Sequence, residues 1–335
     1  MLLRKICTRL RPQTSAVCRC RWASTNPSNL VFDRQTKRHQ RDWAAAQPDF
    51  DLAQYVKDEI GYRVADKVFD LTKFNDVVID LGCGAGHIGP HLIKENVGIL
   101  LQCDMSEGLV RRSKGAPDSE CPTSRVIADE AVPPYRDGCA DLVVSSLAAH
   151  WINDLPGWFA TCLRLLTPDG ALIGAVLAGD TLYQLRVALQ LAEAERLGGF
   201  GIHISPFVQA QDIGSLMHRA GFDMITLDSD EIEIGYPNMF ALLYDLQLMG
   251  ESNASIRRSA NLRRDVLIAA DAIYKAMYSP GPDFDKYPAT FQIVSFIGWR
   301  PGPLMPKAAK RGSQNVSLKD LSKVIEAPEQ YTKKD

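Results

Sequence analysis

Asp80-Leu-Gly-Cys-Gly-Ala-Gly86 follows directly on the apolar run Val77-Val-Ile79. Together they predict a buried strand that hands a glycine-rich turn to the head of a helix. Glycines at 82, 84 and 86 remove side chains that would hold a nucleoside off the backbone, and they permit the positive φ of a tight turn. A ligand cleft is therefore expected at residue 80. Two chemistries share this look. Gly84, Gly86 and Gly89 also spell the G-x-G-x-x-G of a dinucleotide fold, with Asp104 about 20 residues on, where an acid can hold a ribose. A third acidic site, Asp129-Glu130, follows the strand-like Arg125-Val-Ile-Ala128. Acids at three successive strand ends suit a small nucleoside carrying amine and hydroxyl donors better than a pyrophosphate.

Outward from this stretch, strand-like and helical segments alternate, as βαβ units do. Strands are expected at 77–81, 99–103, 125–128, 141–145 and 171–177, with helices near 88–96, 107–114 and 155–166. The turn Thr167-Pro-Asp-Gly170 separates the last helix from the fifth strand. Continuous apolar strands with short connections imply a parallel sheet covered on both faces, whose ligands bind beyond the carboxyl ends of the strands. Ahead of the sheet, residues 32–43 and 55–69 read as helices, the second with Ile60, Val64 and Val68 on one face. Thr181-Leu-Tyr-Gln184 has capping-box spacing and opens a helix to about Leu197. The glycine-rich 198–206 suits a lid. Residues 224–236 and 290–299 read as a closing antiparallel pair around a helical insertion, about 238–280, in which Leu262, Val266, Ala269, Ile273 and Met277 form one stripe; the insertion is expected to arch over the nucleoside site.

The 335 residues are 46% hydrophobic with a formal net charge of −2, enough for one large core and ill-suited to gripping a polyanion, so nucleic acid is not an expected partner. No apolar run reaches the roughly 18 residues of a spanning helix. Residues 1–28 carry Arg4, Lys5, Arg9, Arg11, Arg19 and Arg21, and no acid precedes Asp33. This composition is that of a mitochondrial transit peptide, or of a disordered basic arm. The expected organisation is then N-terminal helices over 29–76, a catalytic domain over 77–301 and a loose tail over 302–335. Three of the eight cysteines lie in the leader, and no C-x-x-C pair occurs, which argues against a disulfide framework or a thiolate metal site.

The strand-end acids and glycines resemble the class I S-adenosylmethionine-dependent methyltransferases, a Rossmann-like α/β fold with a mostly parallel seven-stranded sheet. The resemblance implies S-adenosylmethionine as cofactor, bound by Asp80, Gly82, Cys83, Gly84 and Gly86, by Asp104 and Met105, by Asp129 and Glu130, and by Ser146 after strand four. Asp104-Met-Ser106 also reads as a helix cap, Asp129-Glu130 as a solvated loop pair, and Cys83 as a small filler. Phe32-Asp-Arg-x-x-Lys-Arg-x-Gln40, Leu147-Ala-Ala-His-Trp-Ile-Asn-Asp-Leu155, Gly179-Asp-Thr-Leu182, His203-Ile-Ser-Pro-Phe207, Met249-Gly-Glu-Ser-Asn253 and Ala289-Thr-Phe-Gln292 narrow the resemblance to the mitochondrial complex I assembly factor 5 family. What that implies is a matrix protein on the inner-membrane face that hydroxylates an arginine in a core subunit of NADH:ubiquinone oxidoreductase, with other assembly factors as further partners. Malonyl-carrier-protein methyltransferases supply a rival reading, and a non-catalytic chaperone a third.

None of the six histidines has an acid two residues later, so no non-haem iron triad is visible and no metal is expected. His150 is the candidate catalytic group, able to orient a substrate or take a proton, or simply packed beside an aromatic. Trp151 is the candidate cleft wall. An arginine substrate calls for carboxylates at the rim, and Asp180, Asp228, Asp230 and Glu251 are the candidates, Asp180 and Glu251 foremost.

Overall fold

A computed structural model describes residues 30–117, 121–199, 201–258, 261–279, 286–306 and 311–312. The proposed leader, residues 1–28, and most of the expected tail lie outside the described residues. Residues up to Gly302 form one compact unit; the second begins at Pro303, and its described residues form turns.

The strands are β1 (Asn75–Leu81), β2 (Val97–Asp104), β3 (Thr123–Ile127), β4 (Ala140–Ser146), β5 (Leu166–Leu177), β6 (Asp223–Tyr236) and β7 (Tyr287–Trp299). Among the described residues they make one sheet of order β3-β2-β1-β4-β5-β7-β6, in which β7 alone runs against its neighbours, pairing antiparallel with both β5 and β6. The apolar run of β1 explains its central place. Val77, Ile79 and Leu81 pack into one core and Val78 into the other, so both faces must be covered.

The helices are α1 (Arg34–Ala46), α2 (Tyr55–Phe69), α3 (Glu107–Arg112), α4 (Leu155–Leu165), α5 (Tyr183–Leu197), α6 (Ala210–Ala220), α7 (Met239–Leu248) and α8 (Arg264–Tyr278). One face is covered by α2, through Ile60, Val64 and Val68, together with α5, α7 and α8; the other is covered by α4 and α6, through Trp158, Phe159, Ile213 and Met217. The segment between β6 and β7 contains α7 and α8.

Four local expectations are corrected. No α-helix follows the glycine turn: residues 88–96 hold only the 3-10 turn Gly89–His91. Gly86 and Gly89 lie so close to the Lys114 main chain that a Cβ would meet its carbonyl oxygen at 2.3 and 2.5 Å, and Pro90 follows at once, so no uninterrupted run remains before β2. The capping box does not form, because Leu182 takes a left-handed conformation (φ 55) and caps α5 without a side-chain bond. Thr181 Oγ1 instead donates to the Gln292 carbonyl and Gln184 Nε2 to Thr290 Oγ1, clamping α5 onto β7. The turn 167–170 lies inside β5, between the pairs Ala140–Leu166 and Leu142–Ala171, with Asp169 at φ 61. The stripe on α8 is rotated from that expected: Val266, Ala269, Ala270 and Tyr274 are buried, whereas Met277 is exposed.

The missing helix is replaced by contact with α2. A Cβ on Gly61 would stand 2.4 Å from the His87 carbonyl oxygen, and Asp58 meets His87 Nδ1 at 2.7 Å. Gly61→Ala gains about 1 kcal/mol of helix propensity, but the overpacking it causes costs about 1–3 kcal/mol against main chain that has little room to move. Thermal denaturation is expected to show a melting temperature lowered by a few degrees; a raised one would mean that α2 does not seat on the glycine loop.

Candidate functional site

The parallel register brings the acids together. Asp80 pairs with Gln102 across β1–β2 and with Val144 across β1–β4, while Asp104 pairs with Ile127 across β2–β3, so the carboxyl ends of four strands share one rim. Asp80 is 1% exposed, and neither of its carboxylate oxygens has a partner. Burial, with the nearby Asp104 adding to it, pushes its pKa up to about 8. Asp104 is equally buried and accepts from the Gly84 N–H at 3.1 Å and the Ser106 N–H at 2.8 Å. Ser106 caps α3 by accepting from the Leu109 N–H, so Asp104 can serve as a binding acid beside a true helix cap.

The glycines divide by role. Gly82 has φ 76, and its Cβ would strike Ala148 Cβ at 2.2 Å; Gly86 is pressed on Lys114. Both are required by the protein's own packing. Gly84 is different, because its Cβ would meet nothing nearer than the His87 ring at 3.6 Å. Cys83 is buried, and burial raises its thiol well above the ordinary range, as it does that of Cys103 beneath the acids, so the filler reading of Cys83 stands. Met105 is buried beside Asp104.

What the sequence reading missed is the role of α1. Arg41, 4% exposed, places Nη1 3.2 and 3.3 Å from the two Asp104 oxygens and 3.0 Å from Glu130 Oε1. Arg34 reaches Asp129 at 2.6 Å and Glu130 at 3.0 Å. Burial alone would raise the Glu130 pKa, but the two guanidinium groups outweigh it and hold that carboxyl at about 2. At Asp104 burial wins over Arg41, and its pKa is raised. Asp129-Glu130 is thus no solvated pair: Glu130 is buried, and Asp129 is half-exposed and salt-bridged. The available signal was the spacing of Arg34, Lys37 and Arg41 on one helical face, a pattern usually read as a solvated stripe.

A second cluster lies after β4. His150 Nε2 meets Glu251 Oε2 at 3.1 Å, the Trp151 indole N–H donates to the same oxygen at 2.8 Å, and Lys57 Nζ is 2.9 Å from Oε1. Burial opposes the charge on Glu251, yet Lys57, His150 and Lys37 hold its pKa well below the ordinary range; burial lowers that of His150, which is therefore neutral near pH 7. Lys37 Nζ donates to the carbonyls of Gly250 and Ser252 and sits 3.3 Å from the centroid of the Trp151 ring.

Glu251 therefore lies within the site, buried and already bonded, rather than at its rim. Asp180 is exposed after β5, where its N–H donates to Gln292 Oε1. Asp228 and Asp230 stand apart on the edge strand β6, pairing with Lys67 and Arg63 of α2, which corrects their candidacy as rim acids. His203 in the glycine-rich loop, for which the sequence named no partner, lies 2.6 Å from Glu193.

Several buried polar atoms at the strand ends lack partners: both Asp80 oxygens, Glu130 Oε2, Ser146 Oγ and His150 Nδ1. Leaving such atoms unmatched costs about 1–3 kcal/mol each, so a ligand bearing donors, with positive charge near Asp80, fits this set of acceptors. Among the described residues no group of three or more His, Cys, Asp or Glu side chains is placed to hold a metal ion, and no helix is long and apolar enough to cross a membrane.

Comparison with known proteins agrees with this geometry. Residues 79–174, from β1 into β5, match the family described as "Methyltransferase domain". The "Arginine-hydroxylase NDUFAF5, mitochondrial" of Danio rerio is 48% identical over 294 residues, covering 88% of this chain and 90% of that one. Its namesake in Homo sapiens is 47% identical over 302 residues, covering 90% and 86%. A "Malonyl-[acyl-carrier protein] O-methyltransferase" of Methylovorus sp. (strain MP688) is 29% identical over 280 residues, covering 81% and 90%.

The partnerless Asp80 generates a prediction whose sign is fixed by its pKa. A carboxyl that ionises near 3.8 when unfolded and about 8 when folded resists deprotonation in the folded state, so the ligand-free protein loses stability as pH rises from about 4 to about 8. Asp80→Asn removes that penalty. The variant is expected to melt a few degrees above the wild type at pH 8 and level with it near pH 4, while binding a cationic nucleoside more weakly. Equal melting at pH 8 would mean that Asp80 is not held in a buried, unmatched state.

Proposed function

Because the chain belongs to the mitochondrial arginine-hydroxylase NDUFAF5 family, we propose that it hydroxylates an arginine of a protein substrate beside a bound S-adenosylmethionine. The observation that carries the cofactor assignment is the set of partnerless buried atoms led by the Asp80 carboxyl, beside Asp104 and Glu130 at aligned strand ends. In this reading Asp80 faces the positively charged methionine portion, with Gly82, Cys83, Gly84 and Gly86 forming the floor. Asp104 takes the ribose hydroxyls, Met105 and Asp129-Glu130 border the adenine, and Ser146 lies at the β4 side. S-adenosylmethionine supplies a sulfonium whose charge complements Asp80.

Bringing that charge to Asp80 reverses its electrostatics. A raised carboxyl pKa falls when a cation sits beside it, so the sulfonium would favour the ionised form of Asp80. Asp104, whose oxygens Arg41 now bonds, would hold the ribose hydroxyls. His150, neutral and fixed by Glu251 through Nε2, offers Nδ1 as an acceptor toward the substrate, and Trp151 is the wall behind it.

The relatives' names say mitochondrial, and we add a matrix location peripheral to the inner membrane, with a core subunit of complex I as substrate and other assembly factors as further partners. Methyl transfer is the second reading, favoured by the match of residues 79–174 to the methyltransferase domain. It needs little beyond alignment of nucleophile and methyl group. Mass spectrometry of complex I subunits from cells carrying wild type or Asp80→Asn, at equal protein levels, separates the readings. An arginine heavier by one oxygen in the wild type, and not in the variant, is expected. A gain of one methylene would replace hydroxylation by methyl transfer, and no change would leave an assembly chaperone. Calorimetry with S-adenosylmethionine and with NADH tests the cofactor separately.

A further inference from the structure

On the side of α1 away from the strand-end acids lie two neighbouring spaces. An inner cavity of about 330 Å³ has walls of Leu177, Leu185, Leu189, Phe207, Leu246 and Phe291. An outer groove of about 360 Å³, bordered by Thr36, His39 and Trp43, opens between α1 and α7. Gln40, Gln247 and Ser252 line both, so these three residues stand where the two spaces meet. The inner end touches the second cluster. Glu251 lines it and bonds His150, and the Phe207 ring, also in its wall, is centred 5.9 Å from the imidazole.

We propose that the two spaces form one passage for the target arginine: its flanking peptide lies in the groove against Trp43, and its side chain passes into the inner cavity through a throat between Gln40, Gln247 and Ser252. The assignment rests on the hydroxylase reading above and adds the route and the groups that receive the substrate. An arginine side chain is an aliphatic stem ending in donors without acceptors. The cavity matches this order, with leucine and phenylalanine walls for the methylenes and acceptors for the head. Gln40 commits Nε2 to the Asn253 carbonyl at 3.1 Å and leaves Oε1 buried without a partner. Glu251 receives three donors on two oxygens that can accept about four.

The cation at this cavity's edge, Arg258, is committed to the Ser255 carbonyl and Thr36 Oγ1 and is 3.6 Å from Asp33. With Arg258 so committed and the Glu251 charge already shared with Lys57, the choice of guest rests on acceptors: Gln40 Oε1 and the remaining Glu251 lone pair can receive guanidinium donors and offer none to a carboxylate. A throat between two helices also restricts the substrate to an arginine on an extended or protruding segment.

The test is Gln247→Trp, which places a large ring at the throat on an exposed position. Binding of a labelled arginine-containing peptide, read by fluorescence anisotropy, is expected to weaken at least about tenfold, with S-adenosylmethionine affinity by calorimetry unchanged as the control for folding. Gln40→Leu is expected to weaken the same peptide several-fold and to reduce, with Glu251 still in place, its preference over an otherwise identical citrulline peptide, a readout that a merely structural role would not move. Unchanged peptide binding in Gln247→Trp that still binds cofactor overturns the route. If the wild type adds no oxygen yet binds the peptide through this throat, the hydroxylase reading fails and the route stands. Displacement of the peptide by a malonyl-carrier protein, with no arginine-over-citrulline preference, overturns the assignment of arginine as the guest.

Discussion

The buried Arg41 guanidinium, held between Asp104 and Glu130, is the contact on which the rest of the site depends. Acids at the ends of β2 and β3 can both be buried at short range only if a cation lies between them, and water is excluded from doing that work. A buried charge stripped of its counter-ion costs several kcal/mol, so α1 is fixed over the strand ends by electrostatics rather than by a broad apolar face. Arg34 extends the same bond to Asp129, and Lys37, on the same face of the helix, ties α1 to the 250–252 segment. One helix thus bridges the strand-end acids and the segment that carries Glu251.

The glycine stretch shows how space that a motif leaves open can be taken by the protein itself. Three glycines suggest backbone cleared for a ligand, yet at 82 and 86 the space is taken by Ala148 and by Lys114. Their small size serves close packing of the loop against its own protein, and the clearance for a ligand reduces to Gly84. Close packing and positive φ are also what bend the chain sharply enough to leave Asp80 buried at the end of β1.

The sheet was legible because its signal is local: apolar runs of β1, β2, β4 and β5 flanked by turn residues, and an acid at each relevant end. The antiparallel closure by β6 and β7 was legible for the same reason, although its two strands lie far apart in sequence. The roles of Arg34, Arg41 and Lys57 were not, since a basic helical face has the same pattern whether it meets water or carboxylates contributed by residues a hundred positions away. Glu251 was visible as an acid but not as a bonded one. The expected helix at 88–96 failed because hydrophobic period says nothing of the Lys114 main chain crossing Gly86 and Gly89. Asp228 and Asp230 were misread because alternation on an edge strand does not reveal which helix lies beneath it.

Cys83 and Cys103 stand within the same acid-rich ground, and the burial that excludes water also keeps their sulfur protonated. The thiolate is the form that oxidants attack, so these two residues are shielded from the chemistry of an oxygen-inserting neighbour. An enzyme of this kind can keep soft, well-filling sulfur at its centre without becoming its own first casualty.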